Sequence, residues 1–256
     1  MRRIHYFNPL HIVAAIILAA AIGSAIPHRA QAAACNFNEA LGNLRKLQTG
    51  QNLEQADGVR AELAARRNVL AALIDCAAEE AQELQANINR LEVRSEEAKT
   101  IQRSIGQKLT ESIAFYRAKR ASVNELGIRG TQEVARQVRE WRAYNYAPFA
   151  HAGLNFMFWN ENDTFIETAR VRLDHIGQTV RTFKLVDNEE LQKLFTQAQE
   201  SFSETETLHR SALEAIRNFD DPKRTQEFIK TSLEKLSQTY NFFFQISDTV
   251  RTILPR

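Results

Sequence analysis

The chain has 256 residues, 44% of them hydrophobic and 25% charged, with 33 Lys+Arg against 31 Asp+Glu. So even a balance leaves no basic stripe for a phosphate backbone, which argues against nucleic acid as a partner. Nine glycines and five prolines are too few for a strand-and-turn architecture or for Gly-rich phosphate loops, whereas the dominant Ala, Glu, Gln, Leu and Arg favour helix.

Residues 1–32 have the three parts of a secretory signal: the basic start Met1-Arg2-Arg3, the apolar run Ile12–Ile26, and the small-residue exit Ala30-Gln31-Ala32, with cleavage expected after Ala32. The apolar run is 15 residues, short of the ~20 that span a bilayer as a helix. An uncleaved membrane anchor is the alternative, and a lipidated Cys35 a third reading. The three arginines of this segment leave with it, so 33 basic residues less three face 31 acids and the exported chain is near neutral.

Residues 33–48 form a short N-terminal unit, helical from Phe37 to Gln48 with Leu41, Leu44 and Leu47 on one side, and Gly50 supplies a turn. From 53 to 127 the pattern predicts one very long coiled-coil helix. Leu63, Leu70, Ala77, Leu84, Leu91, Ala98 and Ile105 recur every seven residues, the mark of a supercoiled seam. The position four further on is mixed: Ile74, Ala81, Ile88, Ser95, Gln102 and Leu109. A helix of that length, on the order of 110 Å at ~1.5 Å per residue, needs a partner along it, and Gly106 is the expected point for any bend.

Asn124–Gly130 reads as a break, and residues 131–256 as an antiparallel helical bundle. A helix from Thr131 to Asn145 leads into an aromatic segment over 144–165, in which a short stretch starting at Pro148 ends near Trp159 and the polar turn Asn160–Asp163 follows, with Asp163 as N-cap of the next helix. A helix from Thr164 to Phe183 carries Ile166, Ala169, Leu173, Ile176 and Val180 at heptad spacing. Asp187–Phe219 is seamed by Leu191, Leu194, Ala198, Leu208, Ala212 and Ala215. Asp220-Asp221-Pro222 starts the last helix, with Ile229, Leu233, Leu236, Tyr240 and Phe243 in its stripe. The class is all-α: one long coiled-coil helix followed by an antiparallel bundle.

No residues suggest catalysis, a cofactor or a metal. His151, His175 and His209 are never three or four apart, and no Cys-x-x-Cys occurs; the three histidines read as surface or boundary residues. Cys35 and Cys76 form an even pair, which in an oxidising compartment suggests one disulfide, with an intermolecular bond or free thiols as the alternatives. Phe149, Phe156, Phe158, Trp159 and Phe165 are the candidate interaction surface, with the closed end of the bundle as the competing role for the same side chains. Asn162-Asp163-Thr164 matches a glycosylation acceptor.

These features predict an exported, non-catalytic structural or protein-interaction module of the cell envelope or exterior. It would meet a protein partner, or itself, through the coiled coil, and a membrane only through an uncleaved N-terminus. The alternative is a sensor or carrier binding an apolar ligand or lipid through the aromatic segment, although the sequence identifies no small-molecule site.

Overall fold

The computed structural model describes residues 38–49, 56–182 and 187–253. The signal segment with its cut at Ala32, Cys35, the turn at Gly50, Phe183 and Leu254 lie outside them. Among the described residues there is no strand, and the class is all-α. The helices are α1 (Asn38–Thr49), α2 (Ala56–Asn89), α3 (Glu96–Ser122), α4 (Ile128–Trp141), α5 (Ala147–Thr182), α6 (Glu189–Arg217) and α7 (Pro222–Ile253).

The single helix expected over 53–127 is two helices, α2 and α3, folded back on each other. As residue numbers rise on α2 their partners fall on α3: Asp75 meets Arg120, Gln85 meets Gly106 and Thr110, and Ile88 meets Gln102. The break at Arg90–Ser95 contains neither Gly nor Pro. It forms because both of its ends are capped. Ser95 Oγ accepts the Ala98 N–H at 3.1 Å, and Glu96 and Glu97 complement the positive end of the new helix. Gln102 Nε2 donates to the Ile88 carbonyl, which also accepts from the Leu91 N–H, and to the Leu91 carbonyl, at 2.7 and 3.1 Å, and so ties α3 to the end of α2. Folding back lets the heptad stripe bury itself, with Leu70, Ile74, Ala81 and Ile88 joining Ala98, Ile101, Ile105 and Leu109 in one core. The folded-back pair and α5, through Ala152, Phe156 and Trp159, bury the stripe together.

Gly106 is therefore not a bend. It lies inside α3, where its carbonyl accepts from Gln85 Nε2 at 2.9 Å.

The expected break after α3 is present but shorter, a 3₁₀ turn at Val123–Glu125 and an extended Leu126. Arg67 Nε donates to the Leu126 carbonyl at 2.8 Å and ties this turn to α2. The next two expected breaks are absent. Pro148 has no N–H to give to Tyr144, and its ring would crowd that carbonyl in a regular helix. The chain absorbs both problems by widening to a π-helical segment, Arg142–Tyr146, so that α4 runs through it into α5. Asn160–Asp163 is likewise helical, so Asp163 caps nothing. Two polar residues there serve tertiary contacts instead: Asn162 is buried and donates to the Ile229 carbonyl at 3.5 Å, and Asp163 meets His209. A buried Asn162 is also out of reach of a glycan.

Helices α5, α6 and α7 pack together. Asn155 and Asn162 donate to the Pro222 and Ile229 carbonyls, so α5 and α7 advance together, whereas Trp159 and Arg170 meet His209 and Glu206 in falling order on α6. Small polar side chains let these helices approach closely. Ala198, Thr205 and Ala212 recur every seven residues on α6, as do Thr225, Ser232 and Thr239 on α7, and all are buried. Leu194, Leu208 and Leu233, expected in the seam, are only half-buried. Pro222 opens α7, where the sequence placed it.

Candidate functional site

The five aromatics expected to form one surface do not. Phe156 and Trp159 are 0% and 4% exposed, and only Phe165, at 41%, is an exposed large apolar residue. Phe149 and Phe158 are half-buried, and Phe149 meets Phe219 edge to face at 4.7 Å. One continuous helix spreads these side chains around its circumference, so most of them fall on the core side.

His209 also departs from expectation. It is buried, stacked on Trp159 at 4.6 Å, with Nε2 3.3 Å from Asp163 Oδ1, while Nδ1 has no partner. The imidazole hydrogen bond holds the Asp163 carboxyl below the usual carboxylate range, against a smaller opposing effect of burial. His151 and His175 are exposed, and among the described residues no cluster of His, Cys, Asp and Glu could hold a metal.

Two features of the α2–α3 hairpin escaped the sequence. The first is an open groove of about 260 Å³ on the hairpin, lined by the apolar Ile74, Ala78, Tyr116 and Ala121 and by Asp75, Arg117 and Arg120. Both Asp75 oxygens accept from Arg120 Nε, at 3.0 and 2.9 Å. Arg117 is exposed and no described carboxylate pairs with it. The groove therefore combines apolar walls, one neutralised charge pair and one available guanidinium.

The second is a brace beside it. Tyr146 Oη donates to Glu80 Oε1 at 3.0 Å, and Arg142 Nη2 donates to both Glu80 oxygens at 3.0 and 2.8 Å. Tyr116, which lines the groove, meets the Tyr146 ring edge-on at 6.2 Å. Burial, reinforced by the Glu80 carboxylate, pushes the Tyr146 phenol far above its ordinary value, and burial also raises Tyr116. Burial opposes the charge on Arg142, but Glu80 outweighs it. The Tyr146 phenol and the Arg142 guanidinium together place three hydrogen bonds on the Glu80 carboxylate and tie the π segment to α2. The partners lie 62 and 66 residues apart in sequence. The one local clue was Pro148, whose demand for a π segment turns Arg142 and Tyr146 toward α2.

Cys76 is half-buried on α2 and disulfide-bonded. Among the described residues no helix is long and apolar enough to cross a membrane. No protein-family model, curated protein or solved structure matches this chain.

Proposed function

We propose that the chain is exported by residues 1–32 and acts in the cell envelope or exterior as a non-catalytic, helical protein-interaction module. The observation that carries this reading is the α2–α3 groove, lined by apolar side chains and by an unengaged Arg117. A protein side chain or helix bearing an apolar knob beside a carboxylate fits such a surface. The Glu80–Arg142–Tyr146 brace meets the groove through the edge-on contact of Tyr146 with Tyr116.

Self-association through an unpaired long helix loses its motive, because the heptad stripe of α2 and α3 is buried in a core shared with α5 and α6. An apolar ligand among Phe156 and Trp159 would have to open a closed core. The opposed run of contacts between α2 and α3 supports reading that hairpin as the coiled-coil element, and the opposed contacts of α5 with α6 support an antiparallel bundle.

The test places photo-crosslinking side chains at Ala78 and Ala121 in the groove and at Gln238 on α7, in cells producing the full chain. N-terminal sequencing of the recovered protein is done in parallel. A mature start at Ala33, with one discrete protein adduct from the two groove positions and none from Gln238, supports the proposal. Retention of residues 1–32 in the cytoplasm, or equal labelling from all three sites, overturns it.

A further inference from the structure

We propose that the α2–α3 groove holds the C-terminal residue of a partner polypeptide, with an apolar side chain against Ile74, Ala78 and Ala121 and its free carboxylate on Arg117. This inference rests on the interaction reading above and narrows it: the apolar knob and the carboxylate belong to one residue, the last of its chain.

The size of the groove argues for a single anchor. Its lining runs from Ile74 to Ala78 on α2 and from Tyr116 to Ala121 on α3, about 6 and 7.5 Å at ~1.5 Å per residue. That is little more than one helical turn. A helix seated in a groove presents anchors at i, i+4 and i+7, over ~10 Å. A volume of about 260 Å³ is also below the roughly 300–1,000 Å³ of pockets that enclose a small-molecule ligand. One large side chain entering from a partner satisfies both limits.

Charge complementarity says which residue carries it. Two guanidiniums and one carboxylate line the groove, an excess of one positive charge. Arg120 Nε meets both Asp75 oxygens at 3.0 and 2.9 Å, and no described carboxylate pairs with Arg117. Glu79, one turn beyond Asp75 on α2, does not line the groove. A carboxylate therefore completes the site, and a guanidinium can hold both of its oxygens. Few positions in a polypeptide bring a carboxylate and an apolar side chain into so short a groove. Successive side chains of an extended segment point to opposite faces, and those of a helix leave about 100° apart. At a C-terminus both groups leave the same Cα, their first carbons ~2.5 Å apart.

The experiment follows the Ala78 and Ala121 methyl resonances of the exported full-length product, labelled at alanine methyls, during titration with three probes. They are a flexible hexapeptide ending in Leu with a free carboxylate, the same peptide as its C-terminal amide, and octanoate. The expected result is a saturable shift of both methyls by the free acid in the millimolar range. Binding should be weaker by more than about threefold for the amide and for Arg117→Gln. Ala121→Phe, which fills the groove and keeps its charge, should abolish the shift at Ala78. Arg117 is exposed, so Arg117→Gln should unfold at the parent's denaturant midpoint, which separates lost binding from lost structure. Acid and amide binding within about threefold of each other overturns the proposal. Undiminished binding by Arg117→Gln, tighter binding of octanoate than of the acid peptide, or no shift with any probe overturns it equally. In each of those cases a discrete groove adduct in cells would leave the interaction reading standing, so the two fail separately.

Discussion

Substituting Gly153 tests whether α5 lies as close to the α2–α3 hairpin as described. A Cβ at this position would stand 2.7 Å from Ile88 Cδ1, 3.5 Å from Ile105 Cγ2 and 3.6 Å from Leu84 Cδ2. In a helix with open space around it, Gly153→Ala would stabilise by about 1 kcal/mol, because alanine loses less backbone entropy. Here the Ile88 methyl must retreat by roughly 0.7–1 Å to reach ordinary carbon contact. Ile88 is 0% exposed, so there is little vacant space to receive it. Overpacking of this kind costs about 1–3 kcal/mol. The net expectation is a destabilisation between zero and about 2 kcal/mol, where propensity alone predicts a gain. Denaturant unfolding of the single variant, of Ile88→Val and of the double variant separates the two effects. Ile88→Val removes the crowding methyl, so the double variant should be more stable than the sum of the singles by about 1–2 kcal/mol. A Gly153→Ala protein about 1 kcal/mol more stable than the parent, with no coupling to Ile88, would refute the close approach.

Three further predictions concern the caps and the buried polar pairs. Ser95→Ala removes the acceptor for the Ala98 N–H at the hairpin turn and should cost about 0.5–2 kcal/mol in denaturant unfolding; no change would mean the break is held by Gln102 alone. Tyr146→Phe removes one of the three hydrogen bonds on Glu80 and should cost about 1–2 kcal/mol. The Tyr146 phenol is raised in the folded state, so its contribution is complete below the ordinary tyrosine value near 10 and is lost as pH rises above it. The stability difference between parent and Tyr146→Phe should therefore narrow between about pH 10 and 12, and a constant difference would refute the assignment. Asp163 behaves with the opposite sign. Its folded value is depressed by His209, so its contribution is present above the ordinary carboxylate value near 4 and is lost as pH falls through the lower folded one. Asp163→Asn should flatten the acid limb of the stability curve, and an unchanged acid limb would show that the pair is not coupled to folding.

Much of the fold is legible because a helix announces itself through local chemistry. The heptads of α2 and α3, the apolar stripe of α5 and the Asp-Asp-Pro start of α7 each depend on residues within one or two turns. The turn between α2 and α3 was written in the same way, as Ser95 followed by Glu96 and Glu97, but it fell in step with the seven-residue repeat and read as a weak seam position. Pro148 erred in the other direction. It is a breaker by its covalent structure, and the chain passed it by slipping one residue into a π segment. The groove and its brace depend on residues that meet across 45 to 66 positions of sequence, which no periodicity encodes.

By itself the sequence determined that this chain is helical, where most of its helices begin and end, and which stripes must be hidden from water. Backbone propensity, capping and apolar spacing are short-range quantities, and they suffice for those decisions. The tertiary structure decided what each stripe would be hidden against. An apolar stripe repeating every seven residues is satisfied equally by a second chain along one straight helix and by its own far half across a turn. The choice belongs to the free energy of the whole packed assembly, which the caps at Ser95 and Gln102 and the close fit of Gly153 against Ile88 tip toward the folded-back hairpin.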